Sequence, residues 1–334
     1  MAFYNYDKAL SYNALFNFIL TTRGLGKTYG AKLKVIKKFL KTGEQFIYIR
    51  RYKDELSTID TFFNDIVANE EFKGHEFKVQ QRKFYIDGKI CGYAIPLSIS
   101  QRLKSTSYPN VTTIIFDEFI INTSNIRYLT NEVYTFLEFF ETVARKRDNV
   151  RVLFLANNVS IINPYFQYFN CVPRENQRFT LAQEGEVLVE IFKDEEFNNE
   201  KYKTKFGKLI KDTTYGNYAI ENESLIDNNK FILKKKPKDL VFCFSIKYKN
   251  IELGYWLSFK EGIFYVCEDI QPNSKNRYTI TKEDHDINYT MYNSLTQFTM
   301  FKEYVRYYRY GYVRYKNIES KHNAYDIMKF MGVR

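Results

Sequence analysis

The sequence predicts an α/β fold: a mainly parallel sheet carrying a phosphate-binding loop, followed by a smaller α+β domain. Three observations predict it. An apolar run, Leu15-Phe16-Asn17-Phe18-Ile19-Leu20, leads into Thr21-Thr22-Arg23-Gly24-Leu25-Gly26-Lys27-Thr28 and then into a helical pattern from about Tyr29 to Lys41. A second apolar run, Val111 to Phe116, delivers Asp117-Glu118 at its carboxyl end. Beyond Lys234-Lys235-Lys236-Pro237-Lys238 the pattern changes to adjacent alternating strands.

Strand, glycine loop ending Gly-Lys-Thr, then helix is the context that gives a P-loop match its chemistry. Gly24 and Gly26 let backbone N–H groups close round a phosphate, and the helix N-terminus faces that anion. Lys27 is placed to reach β- and γ-phosphates, and Thr28 to offer a hydroxyl to Mg²⁺. The full pattern asks for Gly at position 21, where this chain has Thr21, and Arg23 inside the loop is unusual.

The helix after the loop carries Ala31, Val35, Ile36, Phe39 and Leu40 on one face, and Gly43 stops it. Phe46 to Ile49 reads as a strand ending in Arg50-Arg51, and a charged helix is expected from Asp54 to Asn69. Phe84-Tyr85-Ile86, Asp87-Gly88 and Ile90 to Ile95 read as a hairpin, since Asp-Gly suits a tight primed turn. Strand–helix alternation with a hairpin insertion points to a mainly parallel sheet.

An apolar strand ending in two acids is the Walker B arrangement. Asp117 would hold Mg²⁺, and Glu118 would orient or deprotonate an attacking water. Such a strand alone means little; paired with the upstream Gly-Lys-Thr it predicts ATP hydrolysis. The loop Ile121 to Thr130 leaves this strand and carries the cation Arg127, expected to face DNA. A helix from Asn131 to about Lys146 follows, with Val133, Phe136, Leu137, Phe140 and Val143 as its stripe, ending in Arg145-Lys146-Arg147. Those cations suit a helix C-terminus or an arginine finger for a neighbour's γ-phosphate. The strand Val150 to Leu155 ends in Ala156-Asn157-Asn158, a place where a polar residue senses phosphate or opens a turn.

Glu184 to Asn229 reads as a charged connector containing some structure. Strands follow at Val241–Tyr248, Ile251–Phe259 and Ile263–Cys267. From Phe301 onward eight Lys or Arg stand against three Asp or Glu. There Arg306, Arg309 and Arg314 interleave with tyrosines, which suits phosphate contact plus stacking, or equally a tyrosine face packed on the sheet. The expected domains are 1–197, a connector 198–230, and 231–334.

The 334 residues are enough for two cores, and 29 Tyr with 30 Phe supply large rings to fill them. A net charge of +11 favours a polyanionic partner. Cys91, Cys171, Cys243 and Cys267 lack metal-ligand spacing, which fits core thiols in a reducing compartment. Neither a signal peptide, a membrane span nor an internal repeat is evident.

Taken in order, these stretches resemble the DNA-packaging (encapsidation) ATPases of phi-29-type short-tailed phages. The likeness runs through Arg23–Thr28, Gly43–Lys53, Phe84–Lys89, Tyr108–Val111, Phe116–Ile120, Asn163–Phe166, Thr204–Ile210 and Phe244–Ile246, and so covers most of the chain. The resemblance implies an additional-strand (ASCE) P-loop motor, pentameric in the family, that uses ATP and Mg²⁺ to drive double-stranded DNA through the portal vertex of a prohead in the host cytoplasm. It puts Lys27 and Thr28 in the Walker A place and Asp117 and Glu118 in the Walker B place. Arg145 falls on the trans-acting finger, with Arg147 as competitor, Lys104 on a lysine acting across the subunit boundary, and Asn157 on the coupling position. It also implies an RNase H-like C-terminal domain. The first strand of that domain shows Ser245 and Lys247 but no acid, and Glu252, Glu268 and Asp269 form no obvious set, so nuclease activity is not expected. Its partner there is DNA, a structural RNA or the portal protein. The alternatives are a P-loop kinase or phosphotransferase, and a non-catalytic nucleic-acid-binding protein.

Overall fold

In the computed structural model the described residues are all but 1–3, 122–125, 158–162, 172, 174–176, 221–230, 293–298 and 334. They form two compact units, Met1–Asp227 and Asn228–Arg334.

The first unit is built on nine strands: β1 (Phe16–Thr21), β2 (Gln45–Arg50), β3 (Phe77–Gln80), β4 (Lys83–Ile86), β5 (Lys89–Pro96), β6 (Val111–Asp117), β7 (Arg151–Asn157), β8 (Phe179–Ala182) and β9 (Val187–Phe192). Their order is β3-β4-β5-β2-β6-β7-β1-β9-β8. The six from β5 to β9 run parallel, while β3, β4 and β8 pair antiparallel at the two edges. Strand β7 therefore separates the glycine-loop strand β1 from the acidic strand β6, which is the additional-strand arrangement. Strand β1 is buried along its whole length, as a central parallel strand must be.

Its helices are α1 (Asp7–Leu10), α2 (Lys27–Thr42), α3 (Asn64–Val67), α4 (Glu132–Ala144), α5 (Pro164–Phe169), α6 (Glu195–Lys203), α7 (Lys205–Ile210) and α8 (Thr214–Ala219). Ala31, Val35 and Ile36 of α2 enter the core, but Leu40 is 37% exposed. On α4 the stripe is Val133, Phe136, Phe139 and Val143, with Leu137 and Phe140 half-buried. Aromatic packing fills this side of the sheet, with Phe18 stacked on Phe154 at 4.2 Å between centroids.

Two expectations change. The charged stretch 54–69 is a chain of short 3₁₀ turns ending in α3 rather than one helix. It buries Leu56, Phe62, Phe63 and Ile66, and its backbone bonds close over three residues, from the Ser57 N–H to Asp54 O and from the Phe62 N–H to Ile59 O. The expected connector contains β9, paired parallel with β1, and α6 to α8, which pack within the first unit. Residues 221–230 of that stretch lie outside those described.

The second unit carries β10 (Leu240–Tyr248), β11 (Ile251–Ser258), β12 (Ile263–Cys267), β13 (Arg277–Thr279), β14 (Thr290–Met291), α9 (Thr299–Arg309), β15 (Val313–Tyr315) and α10 (Ile318–Phe330). Strands β10 to β12 form an antiparallel meander, and β13 lies parallel to β10 with β14 beyond it. Two helices cover a core that includes Phe244, Tyr255, Phe301, Tyr304 and Ile327. Cys91, Cys171 and Cys267 are buried and Cys243 half-buried.

Candidate active site

The site lies at the carboxyl ends of the parallel strands, where such sheets place their ligands. Register aligns those ends: Thr21 pairs with Asn157, and Asp117 with Leu155. The left-handed residues of the loop are Gly24, with φ of 90°, and Gly26, with φ of 77°. Glycine is needed there and not at 21, where Thr21 is the last, buried residue of β1. Leu25 is buried and anchors the loop, and its carbonyl accepts from the Tyr4 N–H at 3.1 Å. Arg23 points to solvent. Helix α2 starts at Lys27, so its unpaired N–H groups face the loop.

Lys27 Nζ donates to Asn157 Oδ1 at 2.6 Å. Burial lowers the pKa of this ammonium, opposed by the attraction of Asp117 and Glu118. Thr28 Oγ1 lies 3.2 Å from Asp117 Oδ2, and Tyr48 OH donates to the same oxygen at 2.8 Å. Burial raises the Tyr48 phenol well above its ordinary value, with the Asp117 charge adding to it, so it stays a donor.

Sequence reasoning missed the charges at and just past the end of β2. Arg50 Nη2 donates to Glu118 Oε2 at 2.6 Å and to Glu55 Oε1 at 3.1 Å, and its Nη1 lies 4.0 Å from Asp117. Arg51 is buried and forms a fork with Glu132, Nε to Oε2 at 2.7 Å and Nη2 to Oε1 at 3.0 Å. It also donates to the carbonyls of Glu118 and Phe119, at 3.2 and 2.6 Å. Tyr165 OH and the Leu129 N–H satisfy the remaining Glu132 sites, and Arg51 lies over the Tyr128 ring at 4.9 Å. Tyr52 OH donates to Arg127 O at 2.9 Å. One available signal was position: Arg50-Arg51-Tyr52 ends a strand predicted to be parallel to its neighbours.

The other predicted residues lie farther apart. Arg145 is exposed just past α4, with φ of 51°. Arg147 is bound to four backbone carbonyls, those of Tyr108, Pro109, Val111 and Val143, at 2.6–3.0 Å. Lys104 is exposed and pairs with Glu138 of α4 at 3.2 Å. Arg127 is exposed, in a loop whose residues 122–125 are outside those described.

In the second unit Arg309 is exposed and Arg306 pairs with Glu303 at 3.0 Å, whereas the Arg314 guanidinium turns back to the carbonyls of Gly311 and Val313. Glu252 accepts from Ser245, from Tyr289, and from Nη2 and Nε of Arg277 at 2.8 and 3.0 Å. A guanidinium thus neutralises this carboxylate, and no group of three metal-ligating side chains exists among the described residues. None of the described helices is long and apolar enough to cross a membrane.

Three comparisons bear on this geometry. The family profile of the Podovirus DNA encapsidation protein (Gp16) matches residues 1–333. The DNA packaging proteins of Bacillus phages PZA and phi29 are each 42% identical over 332 residues, spanning 99% of this chain and 98% of theirs. A chain of the bacteriophage Phi-29 viral genome packaging motor assembly is similar at TM-score 0.75 and 41% identity, covering 99% of this chain and all of that one. The N-terminal domain of the DNA packaging ATPase from bacteriophage phi29 is similar at TM-score 0.53 and 50% identity, over 57% of this chain and 96% of that one.

Proposed function

The chain belongs to the podovirus DNA encapsidation protein family, and from that premise we infer that it hydrolyses ATP to drive viral DNA into a prohead. One observation carries the catalytic part: Lys27 and Thr28 at the glycine loop meet Asn157 and Asp117 at the ends of two other strands, leaving an anion cradle beside a carboxylate pair.

Each residue has a role that follows from its place. Backbone N–H groups from Gly24 to Thr28 bind the polyphosphate, and Lys27 leaves Asn157 to meet its β- and γ-oxygens. Thr28 and Asp117 offer hard oxygen donors on facing elements, a set that fits Mg²⁺, which keeps most of its waters. When bound, that ion neutralises phosphate charge. Glu118 accepts the proton of the attacking water once Arg50 releases it. Arg145, exposed and without a side-chain hydrogen bond or ion pair among the described residues, is the finger presented to a neighbouring subunit; Lys104 joins it across the same boundary. The exposed position of Arg145 supports this reading over Arg147, which is occupied.

The motor is a homo-oligomeric ring, a pentamer, at the portal vertex in the host cytoplasm, where its C-terminal unit meets DNA, the portal protein or a structural RNA. Arg127, Arg306 and Arg309 are its phosphate-contacting cations, so duplex binding falls steeply with salt and ignores sequence. Arg314, engaged by its own turn, contributes less.

The test is ATPase activity with and without double-stranded DNA and proheads. Turnover stimulated by both is expected, with Glu118→Gln retaining nucleotide binding and losing hydrolysis. Near-normal turnover in Glu118→Gln removes Glu118 from the mechanism. Salt-independent binding of the duplex removes the phosphate-gripping assignment.

A further inference from the structure

Two of the helices that follow β9 open on the same four-residue capping pattern. Helix α7 opens with Thr204-Lys205-Phe206-Gly207 and α8 with Thr213-Thr214-Tyr215-Gly216. In each, the first threonine caps the helix: Thr204 Oγ1 accepts from the Gly207 N–H at 2.9 Å, and Thr213 Oγ1 from the Gly216 N–H at 3.0 Å. Each hydroxyl also donates to the carbonyl three residues earlier, Lys201 O at 2.7 Å and Ile210 O at 2.6 Å. The glycines are required by close approach. A Cβ at Gly207 would stand 1.9 Å from Lys201 O, and one at Gly216 would stand 2.1 Å from Ile210 O.

The same local fold used twice brings the aromatic before each glycine to the same place. The Phe206 and Tyr215 rings lie 6.4 Å apart at 69° and are 60% and 40% exposed. They wall a cavity of 340 Å³, within the ~300–1,000 Å³ range of small-molecule sites. Its lining also includes Arg23 and Gly24 of the phosphate loop, with Lys201 and Ile210. Lys201 Nζ donates to Arg23 O and to Ala219 O, so one ammonium ties α6 to both the loop and the end of α8. A Cβ on Gly24 would lie 3.7 Å from the Phe197 ring and 3.9 Å from Lys201 Nζ. The cavity is therefore continuous with the loop that takes the phosphates.

We propose that this cavity receives the nucleoside end of ATP, with the base lying against Phe206 and Tyr215. The proposal rests on the ATPase reading above. The rings supply flat apolar faces on which a base stacks. The twin threonine–glycine caps fix where those faces stand. Lys201 keeps the helices docked on the loop, so that phosphates and base are held by one continuous surface.

The test uses the full chain with Mg²⁺ and compares binding of ATP, ribose 5-triphosphate and inorganic tripolyphosphate by calorimetry. Phe206→Ala and Tyr215→Ala are each expected to bind ATP roughly tenfold more weakly and tripolyphosphate as the parent does. Phe206→Tyr and Tyr215→Phe keep a ring and are expected to retain ATP affinity. The parent should bind ATP more tightly than ribose 5-triphosphate. Lys27→Ala reports on the phosphate loop separately: if it leaves both ATP and tripolyphosphate binding unchanged, the ATPase reading itself fails. With that control behaving as expected, either of two results overturns the cavity assignment. One is alanine variants that bind ATP like the parent, or lose ATP and tripolyphosphate in parallel. The other, which needs no variant, is equal affinity of the parent for ATP and ribose 5-triphosphate.

Discussion

Arg50 Nη2 stands 2.6 Å from Glu118 Oε2, an ion pair between the last residue of β2 and the residue just past β6. Glu118 holds a φ of 58°, an uncommon conformation for a residue with a side chain. Burial opposes the Arg50 charge, but Tyr48, Glu118, Asp117 and Glu55 outweigh it, so the guanidinium stays charged and the carboxylate stays occupied. The pair holds Oε2 of Glu118 on Arg50 rather than on a water. Arg50→Ala is therefore expected to leave ATP affinity near that of the parent and to lower the ratio of DNA-stimulated to unstimulated turnover. Steady-state hydrolysis with and without duplex checks it; an unchanged ratio takes Arg50 out of the control of Glu118.

The two arginines after α4 should separate cleanly. Arg147 joins α4 to the segment before β6 through four carbonyls, so Arg147→Ala should cost about 1–3 kcal/mol of stability. Arg145→Ala should leave the thermal midpoint unchanged and cut turnover by ~10³-fold or more while ATP still binds. Arg145→Lys should also be damaging, because an ammonium lacks the planar fork. Mixing Arg145→Ala with Glu118→Gln subunits should restore part of the activity, since some sites then pair an intact Glu118 with a neighbour's intact Arg145. No recovery in mixtures shown to form rings counts against action in trans.

The Arg51–Glu132 fork is buried on both sides and every Glu132 oxygen is used. Removing one partner strands the other charge. Arg51→Met should cost about 3–5 kcal/mol in chemical denaturation, whereas replacing both partners by apolar residues should cost much less. A loss under 1 kcal/mol for the single change would mean that water reaches Glu132.

Glu252 supplies a pH dependence. Burial raises its pKa, but hydrogen bonds from Arg277, Ser245 and Tyr289 outweigh this and hold it below the usual glutamate value, while the same pair raises Arg277. A carboxylate with a depressed folded pKa stabilises the fold above its unfolded pKa, and that contribution is lost as pH falls through the folded value. Glu252→Gln should therefore cost about 1–3 kcal/mol at neutral pH, and the gap from the parent should close in acid, below the ordinary glutamate pKa. A gap that persists unchanged there would show that the Glu252 charge is not the source.

The chemistry-bearing framework is legible in the order of residues. The glycine loop, the strand ending in Asp117-Glu118, the Asp87-Gly88 hairpin and the three strands from β10 to β12 all announce themselves by local residue order and apolar periodicity. Those signals report burial and turn geometry, which neighbouring residues in the chain decide. Which partners the charges take depends on long-range packing. Glu190 looked like part of a polar connector, yet it is fully buried in β9, satisfied by Tyr4 OH and Arg178. Arg50 and Arg51 are adjacent and chemically identical, but they point to Glu118 and Glu132 because successive residues at a strand end leave on opposite faces. Thr21 departs from the motif without disturbing the loop, since the positive φ falls at 24 and 26. The Phe206–Tyr215 pair became visible only when two short helices folded alike. An apolar strand's burial pattern is written along the chain, but the partner that lets a charge such as Glu190 be buried, or that covers a ring, comes from a distant segment that only the fold brings near.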